Sequence, residues 1–250
     1  LNDLFGLEAN FLGAGAGSLT LRQQPCVFTN AGFFQDAAAV CIVEKSSKLG
    51  VRHGWQKIAG PMVATETDGN NILQLNWQNA FEVYQKVILD DSGQHIGRAN
   101  FFNISQAYPF GIFREKEDDI VRDPIAVGEQ GEIICIGEVL PNTVLYILKG
   151  DQQTLIDAAA QAISDCKTND EQHIDAEDTL VIDCISRTLF LAGHFAEELA
   201  AIRGQLVINT PEQEPQGVLS LGEISSYGAG LLELFNKTIV VGTLHTVPEP

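Results

Sequence analysis

Short apolar runs follow one another along the chain, broken by polar or glycine-containing stretches, and this pattern predicts more strand than helix. Asp36 to Glu44 (DAAAVCIVE) is apolar almost throughout and predicts a buried strand. Pro61–Thr67 and Asn71–Leu75 flank Asp68-Gly69-Asn70, a hairpin turn in which glycine accepts a positive φ without steric cost. Over Asn79–Leu89 the spacing changes: Phe81, Tyr84 and Ile88 recur three and four apart, which predicts a helix. Asp90-Asp91-Ser92-Gly93 ends it and marks a seam between two units.

Beyond that seam Ala99–Tyr108, Ile120–Ile125, Glu132–Gly137 and Thr143–Leu148 read as strands, the last two joined through a Pro141-Asn142 turn. Residues 151–166 read as a helix opened by Asp151 as N-cap, with Leu155, Ala159, Ala162 and Cys166 on one side. The strand Val181-Ile182-Asp183 then runs into Cys184-Ile185-Ser186-Arg187 and a helix carrying Glu197-Glu198, whose apolar stripe is Leu191, Phe195, Leu199 and Ile202. Gly217–Ile224 and Thr238–Leu244 close this second unit as strands. Strands and helices do not alternate regularly, so the expected class is α+β: mixed, mainly antiparallel sheets packed with a few helices.

Composition narrows the choice of function. Apolar residues make up 45% of 250, enough for a large core. Acids outnumber bases 33 to 15, a formal charge of −18 that repels nucleic acid and anionic membranes. No apolar run reaches the roughly 18 residues of a membrane span. The five cysteines never form a C-x-x-C pair and mostly sit in apolar stretches, which fits a reducing, cytoplasmic setting. The chain opens at Leu1, so an upstream piece is expected.

Several motifs offer chemistry, each with a plainer reading beside it. Gly13-Ala14-Gly15-Ala16-Gly17-Ser18 lacks the third glycine of a dinucleotide fingerprint and reads as a tight backbone turn. The polar loop 167–178 is acidic but lacks the spacing of a calcium loop. Cys184, where a strand hands over to a helix N-terminus, is a candidate nucleophile, yet no convincing base accompanies it and strand-end thiols are commonly packed. His194 and Glu198 share a helical face near Cys184 without a full metal set. Arg187 and Glu223 make the sharper case: the guanidinium can fork onto a carboxylate while the acid receives an ammonium, which suits a zwitterion. The plain alternative is an internal salt bridge from Arg187 to Glu198 or Glu223.

In order along the chain stand Gly54-Trp55, Thr65 with Gly69-Asn70, Ala80 to Tyr84 (AFEVY), Pro109-Phe110-Gly111-Ile112, Val121-Arg122 and the Pro141 turn. Cys184-x-x-Arg187, Gly193 with Glu197-Glu198, Gly222-Glu223-Ile224 and Asn236-x-Thr238 follow. The ordered set resembles the FIST sensory module (F-box and intracellular signal transduction). The resemblance implies two related subdomains, the back part of an N-terminal half over 1–75 and a C-terminal half over 76–247. The sequence departs from the family at Asn76-Trp77-Gln78-Asn79, where an Asp-Gly and a proline are usual, and at Asn142-Thr143, where Glu-Gly is usual.

What the resemblance implies is a non-enzymatic input module of a bacterial signalling protein. It senses a small ligand such as an amino acid and acts on an output domain or protein; from the motifs weighed above, no cofactor or metal is expected. The residues expected to bind the ligand are Arg187, Glu223, Cys184, Trp55 and Gly222. A protein-interaction scaffold and a cysteine enzyme are the alternatives.

Overall fold

In the computed structural model, residues 2–6, 9–18, 20, 22–115, 118–167, 172–226 and 231–246 are described. The fold is α+β, with four sheets and a few helices among these residues. The largest sheet runs in the order Ile133–Ile136, Ile120–Val127, Phe110–Ile112, Val144–Lys149, Gln56–Asp68, Asn71–Leu75 and Gln78–Asn79. Ile133–Ile136 also pairs with Asn71–Leu75, so the sheet curls back and closes an antiparallel ring. Closure leaves fewer unpaired edges and encloses a core. Ile72, Leu75, Ile133, Leu145 and Ile147 fill it, and the helix Ala80–Ser92 adds Tyr84 and Ile88. Asn79 caps that helix, accepting from the backbone N–H groups of Phe81 and Glu82.

A second sheet sets Gln216–Ser220, Asp178–Cys184, Ile239–His245 and Ser46–Arg52 side by side. Only the first pair is parallel, and the helices Ile185–Leu191 and Phe195–Arg203 supply the crossover this requires. The helix Gln152–Ser164, opened by Asp151 as predicted, packs on this sheet through Ala159, Ala162 and Ile163. A third sheet joins Leu12–Ala14, Glu223–Ser225 and Glu233–Phe235, and a hairpin pairs Val27–Thr29 with Gly32–Phe34. Apart from that hairpin, no sheet is confined to residues 1–75, since their strands are shared with strands from later in the chain.

The hairpin at 68–70, the helix from Ala80 and the strands at 120, 133 and 144 stand where the pattern places them. Other expectations are corrected. Asp36–Glu44 is exposed and irregular, because its backbone has no strand partner among the described residues and so no ladder to join. Phe101–Ser105 is a helix rather than part of a strand. Asn100 Oδ1 accepts from Gly97 N at 2.6 Å to start the turn, and Phe101 and Ser105 face inward at helical spacing. The glycine run at 13–17 is not a turn. Gly15 lies alongside Gly222, donating from its N–H to Gly222 O at 2.7 Å and accepting from Leu221 N at 3.1 Å.

The helix after Arg187 breaks at Ala192–His194, and of its expected stripe Leu191 and Ile202 are buried while Leu199 is exposed. The closing strand divides into Gln216–Ser220 and Glu223–Ser225. Of the acidic loop at 167–178, residues 168–171 lie outside the described residues.

The departure at Asn76-Trp77 has a structural cost. These two residues alone link the paired Leu75 and Gln78, and both have positive φ, 50° and 61°. That is the geometry in which Asn-Gly or Asp-Gly is favoured. Asn76 fits, but Trp77 carries a Cβ into the left-handed region with its ring 80% exposed. Trp77→Gly is expected to raise stability by about 1 kcal/mol in urea unfolding. An unchanged or lower stability would show that the indole contributes packing that offsets this strain.

Candidate functional site

The polar centre of the molecule grows from charges placed inside apolar strands. Asp123 and Arg122 sit in Ile120–Val127, Asp183 and Cys184 end Asp178–Cys184, Glu223 opens Glu223–Ser225, and Lys237 precedes Ile239–His245. Arg187 follows on the first turn after Cys184. Glu198 lies in the helix Phe195–Arg203. All are buried, with Arg187, Glu198, Glu223 and Lys237 at 0% exposure.

Arg187 is held on every side by the protein. Its Nη2 donates to Glu198 Oε1 and, at 3.0 Å, to Leu155 O. Its Nη1 donates to His53 O at 2.6 Å, and its Nε lies 3.3 Å from Asp183 Oδ1. Burial raises the Asp183 carboxyl well above its usual range against the pull of Arg187, and Glu198 adds to the rise. Arg187 thus faces both acids, Asp183 and Glu198.

His53-Gly54-Trp55 wraps over the same guanidinium. Gly54 has φ +81°, and a Cβ there would meet Ala158 Cβ at 2.9 Å, so only glycine lets this turn lie on the helix Gln152–Ser164. His53 Nδ1 accepts from Trp55 N at 2.9 Å, and burial lowers the imidazole to about 4, so it stays neutral. Trp55 donates from Nε1 to Lys237 O at 3.0 Å, and the Lys237 ammonium stands 5.2 Å from its ring centroid. Lys237 Nζ donates to Gln106 O at 3.1 Å and lies 3.3 Å from Asp123 Oδ1, while Ser186 Oγ donates to Asp123 Oδ2 at 2.8 Å.

Glu223 forms a separate cluster. Ser220 Oγ donates to Oε1 at 2.6 Å, Thr238 N donates to Oε2 at 3.4 Å, and the Cys184 thiol helps to hold the carboxyl down. Burial pushes the Glu223 carboxyl up to about 8, only partly opposed by those donors. The Cys184 thiol is itself pushed well above its ordinary value by burial, then by Glu223 and Asp123, which suppresses the reactive thiolate. His194 is paired with Glu197 at an exposed position. Among the described residues no three metal-ligating side chains come together.

Of the five residues expected at a pocket, all lie in this interior. Arg187 and Trp55 meet through His53 and the Lys237 carbonyl; Cys184 and Glu223 influence each other electrostatically; Gly222 precedes Glu223 and accepts from Gly15. Arg187 and Glu223 are not direct partners, and Arg187 takes the salt bridge to Glu198. A small charged cleft opens nearby, lined by Arg52, His53, Arg114, Asp118, Asp119 and Thr238, and none of the five side chains lines it. Its floor touches the interior, because the His53 carbonyl receives Arg187 and the Thr238 N–H reaches Glu223.

Asp123, Asp183, Lys237, Asn236 and His53 were not singled out from sequence as site residues. The available signal was a charge inside an apolar run, as in Ile120-Val121-Arg122-Asp123.

A FIST N domain model matches residues 1–78 and a FIST C domain model matches residues 80–226. No curated protein and no solved structure matches the chain. The second match alone spans more than half of the sequence, and the two matches stand in the order that the motifs follow. The chain therefore belongs to the FIST family of sensory domains.

Proposed function

We propose that this chain is the small-ligand-sensing input module of a bacterial, cytoplasmic signal transduction protein, that its ligand is an amino acid or a similar small zwitterion, and that it acts on an output domain or protein. FIST domains are small-ligand-sensing modules in signal transduction. The carrying observation is that one buried ionic network ties residues from early and late in the chain through Arg187. Such a network is a poor source of stability compared with an apolar core, and its best-attested use is to specify one arrangement over another. In this reading Arg187, Glu223, Cys184, Trp55 and Gly222 make the ligand-responsive core, with Gly222 at the wall the ligand meets and Arg187 behind it. The ligand favours one of two arrangements of that core, which is all a sensor requires.

Calorimetry and thermal unfolding against a panel of the common amino acids test this. A binder present at a hundred times its Kd is expected to add about 2.7 kcal/mol of stability. A panel in which nothing binds would sink the amino-acid reading. A protein-interaction scaffold is the second reading, and it draws on Phe28, Phe33 and Ile42, which stand 72%, 75% and 70% exposed.

A further inference from the structure

One ring nitrogen in the cleft beside the ionic network has no partner. His53 lines that cleft although only 8% of it is exposed. Its Nδ1 accepts from the backbone N–H of Trp55, so the neutral imidazole must carry its proton on Nε2. Burial keeps the ring neutral against the pull of Asp118 and Asp119. Nε2 donates to no group among the described residues, yet it is not sealed off; the open space it meets is the cleft. A buried donor left unpaired is costly, and an acceptor arriving through the cleft removes that cost.

The walls carry both signs of charge in equal number. Arg52 and Arg114 line the cleft with Asp118 and Asp119, and Val51 and Phe235 add apolar surface. Arg52 lies 3.3 Å from Asp118, whose side chain is 37% exposed and so stands at the rim. Asp119 lies 3.0 Å from Lys57. Walls matched in this way favour a ligand that itself carries both charges over a simple anion or cation. The enclosed space is about 10 Å³, room for one water-sized group, so only the end of a ligand enters it while the rest stays at the rim.

We propose, building on the sensing role above, that this cleft is where the ligand binds, an α-amino acid whose carboxylate accepts from His53 Nε2 and whose ammonium meets Asp118 at the rim. The role first expected of Arg187 falls to His53, because the donors of Arg187 are already taken up by the protein. Arg187 responds at one remove. The residue that meets the carboxylate also receives Arg187 Nη1 through its own carbonyl, and Thr238, in the same cleft, donates from its N–H to Glu223. A Cβ on Gly222 would lie 3.3 Å from Phe235 O, so Gly222 backs the apolar wall. Ligand and buried network thus share residues, and a shift of either is felt by the other.

The probes are glycine, acetate and methylammonium, followed through the His53 ring signals in NMR spectra of the whole chain, identified by their loss in His53→Gln. Glycine is expected to shift these signals saturably. Acetate and methylammonium, each answering one half of the cleft, are expected to bind about tenfold more weakly or worse. Asp118→Asn, a rim change that leaves the buried groups in place, is expected to weaken glycine by about tenfold while acetate binds as well or better. An amino acid that binds without moving the His53 signals, or equally well to Asp118→Asn, overturns the site while the sensing role stands. If acetate and methylammonium saturate the His53 signals and no amino acid binds, the cleft still holds the two charged ends and the amino-acid reading fails. If no probe moves the His53 signals, the site is wrong.

Discussion

Replacing Arg187 by methionine is expected to destabilise the protein by about 3–5 kcal/mol in urea unfolding at neutral pH. The loss does not come from the value of one ion pair in water. It comes from what is left behind: the Glu198 carboxylate, with Asp183 beside it, and the carbonyls of His53 and Leu155 all lose their Arg187 partner in a buried site. Whole domains are stable by roughly 5–15 kcal/mol, so this single change takes a large share. Arg187→Lys is expected to recover little, because one ammonium cannot reach partners arranged around a planar fork. Adding Glu198→Leu to Arg187→Met should restore part of the loss by removing the stranded carboxylate. A loss under about 1 kcal/mol for Arg187→Met would show that water enters and solvates the network.

Stability is expected to fall as pH rises from about 6.5 to about 8, and Glu223→Gln is expected to flatten that fall. Glu223 is raised to about 8 in the folded chain, mainly by burial. Between the ordinary glutamate range and that value the folded chain keeps a proton that the unfolded chain has lost. Its stabilising contribution is therefore whole at low pH and disappears as pH rises through the folded value. The slope for one group is about 1.4 kcal/mol per pH unit, which gives about 2 kcal/mol over this window.

Asp183, raised in the same direction, adds to the fall. His53 has the opposite sign, since its imidazole is lowered to about 4, but its effect is confined below the ordinary histidine value of about 6.5. Glutamine reproduces the shape of a protonated Glu223 without a titrating proton. Equal slopes in wild type and Glu223→Gln, measured by urea unfolding at the two ends of the window, would show that Glu223 is already ionised at the lower pH.

Local signals were legible in the sequence, and partnerships across the chain were not. The hairpin at Asp68-Gly69-Asn70 and the helices capped by Asn79 and Asp151 are specified within a few residues, and they stand where they were expected. Phe101–Ser105 departs from the expected strand because two adjacent apolar residues followed by a polar one and an isoleucine satisfy either period. The cap that decides it depends on Asn100 meeting Gly97. Asp36–Glu44 departs from the expected buried strand because an apolar run is buried only when neighbours exist to cover it. At the candidate site, Arg187 and Glu223 were visible as charges within apolar stretches. Lys237 was not, because it reads as part of an Asn-Lys turn. Its placement at φ 49° under Trp55 depends on a residue 182 positions earlier.

That long reach bears on how the protein is made. The strand Ser46–Arg52 takes its ladder partner from Ile239–His245, and Gln56–Asp68 takes one of its neighbours from Val144–Lys149. On a ribosome, residues 46–68 emerge long before either partner has been synthesised. These early strands must wait with their edges unpaired, since contacts this distant in sequence are slow to form. The ladder of Ser46–Arg52 therefore completes only once Ile239–His245 has left the exit tunnel, and a translational pause before Ile239 would leave the nascent chain open to aggregation.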